Sequence, residues 1–356
     1  MKKESACEEN VIIFQGGGSL GAYECGVYKA INKLNIKCDI LAGTSIGGIN
    51  AAIVAASKSG NPVKDLENFW LALAETITPP FLPKQIREVT STIYSAVWGN
   101  PNMFFPTWFN PMAISYNMPY LYDITPLKKT MEKYADFTKL KEHNRPRLII
   151  TATDIQSGRP SVFDSKYDDI TSDHVLSGAG YPFYGISWTK ISDRYLWDGT
   201  LLSNTPLREV IDSSPTCDKR VIIANLFPHN QKEIPQNMSE SWHRARDIMH
   251  TDKTDQAVRM SKIISRYLKI IKEMHGILEN LNLDENNKKR LRQIEPEYNR
   301  LASERGAIIK EIVRIERQEH THYLFEDADF SLDTIKELIR NGENDALEVL
   351  VNFSKD

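Results

Sequence analysis

The sequence predicts an α/β protein whose central sheet is mostly parallel, followed by a helical C-terminal region. Two observations lead to this fold class. Short apolar runs typical of buried strands alternate with segments of helical periodicity, and the first two runs end in glycine. Parallel neighbours need a crossover helix between them, so the alternation indicates βαβ units with right-handed connections. The composition, 41% hydrophobic and 26% charged, excludes a disordered or fibrous chain.

The expected elements follow in a regular order. A strand at residues 11–14 precedes a helix at 22–34, and a strand at 39–42 precedes a small-residue helix at 46–56. Further short strands are expected at residues 147–153, 161–163, 195–197 and 221–226.

Residues 89–122 stand out because they contain no charged side chain and are rich in aromatic residues and proline. The prolines exclude a continuous helix, so we expect an irregular segment. Long loops of this kind are often lids or binding loops, and packing over the core is the alternative. We include the segment, as a lid or entrance, in a first domain of residues 1–235.

The C-terminal region, residues 236–356, is expected to be mainly helical, with an antiparallel hairpin at about 255–317. A polar turn at 282–287 separates two apolar seams of heptad spacing. The first seam contains Met260, Ile264, Tyr267, Ile271, Met274, Leu278 and Leu281, and the second Leu291, Ile294, Tyr298, Leu301, Ile308, Ile312 and Ile315. Each seam covers about three heptads, which favours packing on the main domain; a homo-oligomer formed through the hairpin is the alternative.

Charge and cysteine content narrow the partners and the compartment. The net charge of −3 does not favour nucleic acid, so no nucleic-acid partner is expected. The four cysteines lack metal-ligand spacing, so we expect free thiols, no metal site and a reducing, cytoplasmic location. We find neither an apolar leader nor a run of about 18 apolar residues, so any membrane contact is expected to be peripheral.

The first motif with chemical meaning is Gly16-Gly-Gly-Ser-Leu-Gly21, where a strand ends and a helix begins. Such a loop directs backbone N–H groups toward one point, which suits an anion. Gly16, Gly18 and Gly21 also match a dinucleotide-binding fingerprint. That fold needs an acidic residue at the end of the second strand, whereas Asp39 stands at its start, so a dinucleotide oxidoreductase is the least favoured alternative.

The end of the second strand carries Gly43-Thr-Ser-Ile-Gly47, the pattern of a nucleophile elbow. The flanking glycines leave room for a strained turn that exposes the Ser45 hydroxyl at a helix N-terminus. The backbone N–H of Ile46 is then placed to help hold an oxyanion. Ser45 is therefore the candidate nucleophile.

A candidate base follows later in the chain. Asp198 closes an apolar run and precedes Gly199, so it belongs at a strand end beside the serine; an ordinary Asp-Gly turn is the structural alternative. His229, just past the last expected strand of this domain, is a weaker candidate in a polar setting.

Taken together, these motifs resemble the patatin-like phospholipases, in family order: the loop Gly16–Gly21, the elbow Gly43–Gly47 and the pair Asp198-Gly199. The loop Ser177-Gly-Ala-Gly-Tyr-Pro182 resembles the small-residue loop that precedes the aspartate in that family. The resemblance spans about residues 10–210 and suggests a bacterial branch with a C-terminal extension.

The resemblance implies a three-layer α/β sandwich, a lipid or phospholipid substrate and no cofactor. It implies a dyad of Ser45 as nucleophile and Asp198 as base, without histidine. The implied oxyanion hole comprises Gly16, Gly17, Gly18 and Ile46, and the motif is supported by Gly21, Gly43, Gly47 and Gly199. One departure is Leu20, where many members carry a basic residue.

The resulting expectation is a serine acyl hydrolase that cleaves fatty-acyl esters of lipids through an acyl-enzyme. A lipid acyltransferase is the first alternative, because the elbow is the same and only the acceptor differs. The second alternative is a membrane-surface scaffold with a degenerate site. The excess of positive charge in residues 241–317, 17 Lys and Arg against 12 Asp and Glu, favours the scaffold, and intact Ser45 and Asp198 argue against it.

Overall fold

The computed structural model describes residues 7–74, 78–79, 81–109, 119–231, 234–318 and 326–351, and a mixed eight-stranded sheet lies at its centre. The strands are β1 (Glu8–Phe14), β2 (Ile40–Thr44), β3 (Phe105–Pro106), β4 (Tyr122–Asp123), β5 (Arg147–Asp154), β6 (Pro160–Asp164), β7 (Thr189–Ile191), β8 (Arg194–Asp198), β9 (Asp218–Asn225) and β10 (Ile309–Glu316). The order is β10-β9-β1-β2-β5-β8-β7, with β6 beside β5, and β3 and β4 form a separate ribbon. Strands β10 to β5 pair in parallel, and β6, β7 and β8 are antiparallel.

Helices cover both faces of this sheet. They are α1 (Ala22–Lys33), α2 (Ile46–Ala55), α3 (Pro62–Leu73), α4 (Lys84–Trp98), α5 (Thr125–Tyr134), α6 (Ser172–Ser177), α7 (Leu207–Ser213), α8 (Met238–Asn280), α9 (Glu285–Arg305) and α10 (Leu332–Leu350). Alternate residues of β1 enter different cores: Ile12 and Phe14 pack with α1, α2 and α10, and Val11 and Ile13 pack with α7 and α8. Because both faces are buried, the strands read as continuous apolar runs. The predicted fold class, an α/β sandwich with C-terminal helices, is confirmed.

One predicted element is wrong. The second helix of the hairpin ends at Arg305, and Ile309–Glu316 is a strand that pairs in parallel with β9. Gly306 ends the helix, and the β-branched residues after it favour an extended chain beside the open edge of β9. Ile308, Ile312 and Ile315 therefore do not belong to a helical seam. The C-terminal region thus adds a strand to the main sheet, while the domain boundary at residue 235 stays a prediction.

The hairpin of α8 and α9 is nevertheless antiparallel, since the ring of His275 stacks on Tyr298 at a centroid distance of 3.8 Å. The expectation that its first seam packs on the main domain is wrong. Val258 and Leu268 are the buried apolar residues of α8, whereas Met260 and Tyr267 are 54% and 64% exposed. The face that docks is thus offset from the heptad seam, and the homo-oligomer stays a prediction.

The uncharged segment is also more regular than expected, because its first ten residues are the C-terminal part of helix α4. The prolines do not prevent this, since the first of them, Pro101, follows the helix end. Residues 110–118, the middle of the segment, lie outside the described residues.

Two cysteines predicted to be free thiols are paired: Cys7 and Cys217 form a disulfide. They precede β1 and β9, which run in parallel with Glu8 opposite Asp218, so their Cα atoms lie 4.8 Å apart. Glu9 lies in the same cluster, but the disulfide leaves neither sulfur as a thiolate ligand for a metal. Cys25 and Cys38 are free.

Of the helices in the described ranges, none has both the length and the hydropathy of a transmembrane segment.

Candidate active site

Ser45 occupies the turn between β2 and α2 in a strained backbone conformation, with φ +55° and ψ −130°. The turn demands its flanking glycines. A Cβ on Gly43 would lie 2.3 Å from the carbonyl oxygen of Gly47, and a Cβ on Gly47 would lie 2.5 Å from that of Phe14. The spacing of the motif thus follows from the close approach of β2, α2 and β1.

Asp198 ends β8, which reaches the same region because β8 pairs with β5 and β5 pairs with β2. Its side chain is only 1% exposed. Oδ1 accepts a hydrogen bond from the backbone N–H of Thr200 at 2.8 Å, whereas Oδ2 is buried without a partner of ordinary hydrogen-bond geometry. The Ser45 hydroxyl lies close enough to the carboxylate to lower its pKa.

Burial raises the pKa of Asp198 to about 6, although contacts with Ser45 and Thr200 lower it in part. The cause is desolvation, which disfavours the charged carboxylate. The group is therefore a stronger base than an exposed aspartate and still mostly ionised at neutral pH.

The glycine loop lies against both the serine and the C-terminal region. A Cβ on Gly16 would lie 2.8 Å from Cβ of Ser45. Gly18 has φ +55°, and a Cβ there would lie 2.2 Å from the carbonyl oxygen of Asp327, so only glycine fits. Ser19 donates a hydrogen bond to the carbonyl of Glu326 at 3.0 Å. The short turn Glu326–Ala328 thus packs directly on the loop.

Asn204 is a buried residue that the sequence reasoning missed. Its Oδ1 accepts hydrogen bonds from the Gly16 N–H at 3.0 Å and from the Thr200 hydroxyl at 3.2 Å. Its Nδ2 is buried without a hydrogen-bond partner in the described part of the chain. Asn204 therefore ties the glycine loop to the turn that carries Asp198. The available signal was a polar residue soon after Asp198-Gly199, which is ambiguous in a single sequence.

A cavity of about 350 Å³ opens beside Ser45 and Asp198. One set of lining residues is apolar and comes from α2, α5 and the aromatic segment: Ile46, Ile49, Met103, Phe104, Leu121, Tyr122, Ile124 and Leu127. We call this set the apolar wall. A second set, the polar wall, consists of Tyr184, Arg246, His250 and Asp327. Three of these four residues belong to the C-terminal region, to which no role was assigned from sequence.

Arg246 anchors the C-terminal region to the site. Its guanidinium donates hydrogen bonds to carboxylates of Asp327 at 2.9 Å, Asp247 at 3.0 Å and Glu326 at 3.3 Å. Arg317 donates to Glu326 at 2.9 Å. Burial lowers the pKa of Arg246, but the three carboxylates outweigh it and raise that pKa, so the guanidinium stays charged.

His229, the weaker candidate base, lies on the surface with Nδ1 3.1 Å from a carboxylate oxygen of Asp255. It is not among the residues that line the cavity. His250 does line the cavity, although nothing in its local sequence distinguishes it from the other histidines of the chain.

The structure thus places a glycine-flanked serine and a buried aspartate of an α/β sandwich beside a largely apolar cavity. A sequence model of the family described as patatin-like phospholipase matches residues 12–211. The chain therefore belongs to the patatin-like phospholipase family.

A short stretch of the chain is also similar in sequence to much longer proteins. The chain is 30% identical over 71 residues to patatin-like phospholipase domain-containing protein 6 of Mus musculus and of Homo sapiens. The match covers 20% of this chain and only 5% of those relatives.

Among solved structures, VipD from Legionella pneumophila shares 12% identity at a TM-score of 0.40, covering 97% of this chain and 67% of that one. ExoU in its complex with SpcU from Pseudomonas aeruginosa shares 14% identity at a TM-score of 0.33, covering 99% and 52%. Neither likeness is close enough to extend the assignment.

Proposed function

We propose that this protein is a serine acyl hydrolase that cleaves fatty-acyl esters of lipids through Ser45 and Asp198, without a histidine. One observation carries the proposal: a strained serine and a buried aspartate with a raised pKa meet at a largely apolar cavity. A perturbed carboxylate beside a nucleophile elbow is a frequent mark of catalysis.

In the first step, Ser45 Oγ attacks the ester carbonyl and its proton passes to Asp198. The unpartnered Oδ2 is the natural acceptor, because protonation there relieves a buried charge. The same proton then goes to the leaving alkoxide, which departs as the alcohol and leaves an acyl-enzyme on Ser45.

Oxyanion stabilisation falls to backbone amides. Asn204 already takes up the Gly16 N–H, so we assign the donors to Gly17, Gly18 and Ile46. Ile46 starts helix α2, where the helix dipole also favours negative charge. Each well-placed donor contributes on the order of 3 kcal/mol to the transition state.

In the second half-reaction, Asp198 takes a proton from water as the water attacks the acyl-enzyme. The fatty acid then leaves and Ser45 regains its proton, which completes the cycle. If an alcohol replaced water as acceptor, the same steps would give a lipid acyltransferase, so the acceptor is the distinction to test.

Substrate access is assigned to helix α4 and the aromatic segment. Thr92, Ser95 and Ala96 of α4 line the cavity. The other side of the helix exposes Ile86, Val89, Ile93 and Val97, each between 44% and 58% exposed. We call these four residues the α4 stripe. An exposed apolar stripe on a helix that also lines the cavity suits contact with a lipid surface, where uncharged side chains lose little on leaving water. We therefore propose peripheral membrane contact through this face.

Replacement of Ser45 by alanine tests the nucleophile. The Ser45→Ala variant is expected to lose ester hydrolysis by roughly 10⁴-fold or more and to lose labelling by a fluorophosphonate probe. Ser192→Ala is the matched control, because Ser192 also has φ +55° but sits exposed in the turn between β7 and β8. It is expected to keep both activities.

Retained turnover in Ser45→Ala, or a fluorophosphonate adduct mapped to another serine, would contradict the proposal. Products from mixed lipids, with and without added glycerol, separate hydrolase from transferase. Free fatty acid as the main product supports hydrolysis, and an acylated acceptor supports transfer. Lipid binding without Ser45-dependent turnover would support the scaffold.

A further inference from the structure

The polar wall of the cavity contains a histidine that the proposed mechanism does not use. His250 lies on α8, is 4% exposed and lines the same cavity as Ser45 and Asp198. Its ring packs on Phe227 at a centroid distance of 4.7 Å and a tilt of 31°. This packing fixes the plane of the imidazole, so its orientation is set before any ligand arrives.

The two ring nitrogens of His250 differ in their surroundings. Nδ1 is fully buried and has no hydrogen-bond partner among the described residues. The nitrogen left to face the cavity is therefore Nε2. We assign the ring proton to Nε2, because a buried N–H without a partner costs more than an unused lone pair. His250 thus presents one N–H donor to the cavity.

Burial and nearby charges keep the ring neutral. Burial, together with the positive charges of Arg246 and Lys253, lowers the pKa of His250 to about 3. Arg246 and Lys253 are on the same helix, α8, and their own donors are engaged. Arg246 bonds carboxylates through all three guanidinium nitrogens, and Lys253 Nζ donates to the backbone carbonyl of Leu201 at 3.0 Å.

The apolar and polar walls of the cavity indicate which half of an ester substrate contacts the His250 N–H. An acyl chain matches the apolar wall, and the scissile carbonyl must lie at Ser45. The alcohol half of the ester is then left facing the polar wall. An anionic group is disfavoured there, because the charge of Arg246 is already matched by the three carboxylates that it contacts. The neutral N–H of His250 suits an uncharged oxygen acceptor.

We propose that His250 is a specificity residue that donates a hydrogen bond to an uncharged oxygen, a hydroxyl or a second ester, on the alcohol half of the lipid. The inference rests on the proposed function, because it takes the cavity as the ester site. It assigns recognition of a glycerol-type alcohol to helix α8, which lies outside the matched family region of residues 12–211.

The first test measures kcat/KM for a 1-monoacylglycerol and for the methyl ester of the same fatty acid, which has no oxygen beyond the scissile ester. His250→Phe keeps a ring against Phe227 without a donor, and His250→Asn places its amide near the Nδ1 position. Both are expected to lower the ratio of the two kcat/KM values by roughly 10- to 100-fold. His250→Gln places an amide nitrogen near the Nε2 position and is expected to stay within about 5-fold of the wild-type ratio.

His229→Phe is the matched control, because His229 is exposed and outside the cavity lining. An unchanged ratio in a folded His250→Phe variant would overturn the proposal. Equal loss on both esters would also overturn it, since it would mean that His250 only shapes the cavity. Circular dichroism and thermal melting establish that each variant is folded.

A binding measurement tests the role of His250 independently of the proposed catalytic mechanism. In the Ser45→Ala background, the dissociation constant of a non-hydrolysable 1-O-alkylglycerol is compared with that of the matching alkyl methyl ether. Adding His250→Phe is expected to weaken the alkylglycerol by about 10-fold or more relative to the ether. If Ser45→Ala still hydrolyses esters, the proposed mechanism fails, and this binding comparison decides on His250 by itself. If the affinity for the alkylglycerol relative to the ether were the same with His250 and with His250→Phe, the proposed role of His250 would be overturned.

Discussion

The cavity is built by two regions of the chain that are encoded in different ways. The glycine loop, the elbow and the Asp198 turn are short motifs whose residues lie next to one another in sequence. The C-terminal region reaches the same cavity through buried contacts between distant residues, such as Arg246 with Asp327 and Ser19 with Glu326. The residues of the proposed chemistry are therefore set by short local motifs, whereas the enclosure of the cavity and its alcohol side depend on long-range packing.

Removal of the base is expected to have the largest effect and to test the first region. Asp198→Asn should lower kcat by roughly 10³-fold or more, because the amide cannot accept the serine proton. His229→Ala should have almost no effect on the same assay. A large loss in His229→Ala would replace the dyad with a triad.

The pH dependence of Asp198 follows from its raised pKa of about 6. Activity should rise with pH through about 6 as the base ionises, and then level off. Stability should move the other way. The folded state binds this proton more tightly than the unfolded state, so the stabilisation is present below the unfolded pKa and is lost as pH rises through the folded pKa. At pH 8, the free energy of unfolding of Asp198→Asn should therefore exceed that of wild type by up to about 3 kcal/mol, and its melting temperature should be higher. Equal melting temperatures at pH 8 would argue against a strained, buried carboxylate.

The second region is tested through its anchor. Arg246→Met removes a cation that pairs with Asp327, Asp247 and Glu326, and leaves these carboxylates buried without it. The free energy of unfolding should fall by about 3–5 kcal/mol. Arg300→Met is the control, because Arg300 pairs with Glu297 at the surface, and its melting temperature should not change measurably. If Arg246→Met kept the wild-type melting temperature, the buried ion pairs of the C-terminal region would not contribute to stability, and the cavity would not depend on them.

The two regions also differ in how far sequence alone could predict them. Strands β1, β2, β5 and β9 and helices α1 and α2 could be placed because apolar periodicity and glycine are local signals. Strand β10 could not, because Ile308, Ile312 and Ile315 fit helical spacing and only the open edge of β9 makes them a strand. The Cys7–Cys217 pair depends on the parallel register of β1 and β9. Asn204 and His250 matter through neighbours distant in sequence, which no spacing within one chain reveals.

Asn204 connects two motifs within the first region, and its removal is expected to have an intermediate effect. Asn204→Ala frees the Gly16 amide and loosens the loop relative to the Asp198 turn. We expect kcat to fall by roughly 10- to 100-fold with little change in KM, because the oxyanion donors would be displaced and the acyl wall would not. An unchanged kcat in a folded variant would mean that the loop holds its shape without Asn204.

The smallest expected effect concerns the exposed apolar surface of the protein. Helices α4 and α8 both expose apolar side chains. Only the α4 stripe adjoins residues that line the cavity, so only α4 is expected to act in lipid contact. The double variant Ile93→Ser and Val97→Ser should lower hydrolysis of lipid in vesicles by about 10-fold, because each removes apolar surface from the lipid contact. Hydrolysis of a short, water-soluble ester and the melting temperature should change little. Phe104 is a poorer probe, because its ring also packs on Tyr122 at 5.1 Å and its loss would disturb the cavity.

The matched control is the double variant Ile270→Ser and Ile277→Ser on α8, where both side chains are 55–56% exposed and outside the cavity lining. The two double variants remove similar exposed apolar area. Any difference between their activities on vesicles therefore depends on where the apolar side chains lie and not on non-specific hydrophobic adsorption. Equal loss on vesicles would show that membrane contact is spread over both helices. A loss confined to the α8 variant would move the lipid-facing surface to the hairpin. Equal loss on vesicles and on the water-soluble ester by the α4 variant would show that α4 supports the cavity and does not contact the membrane.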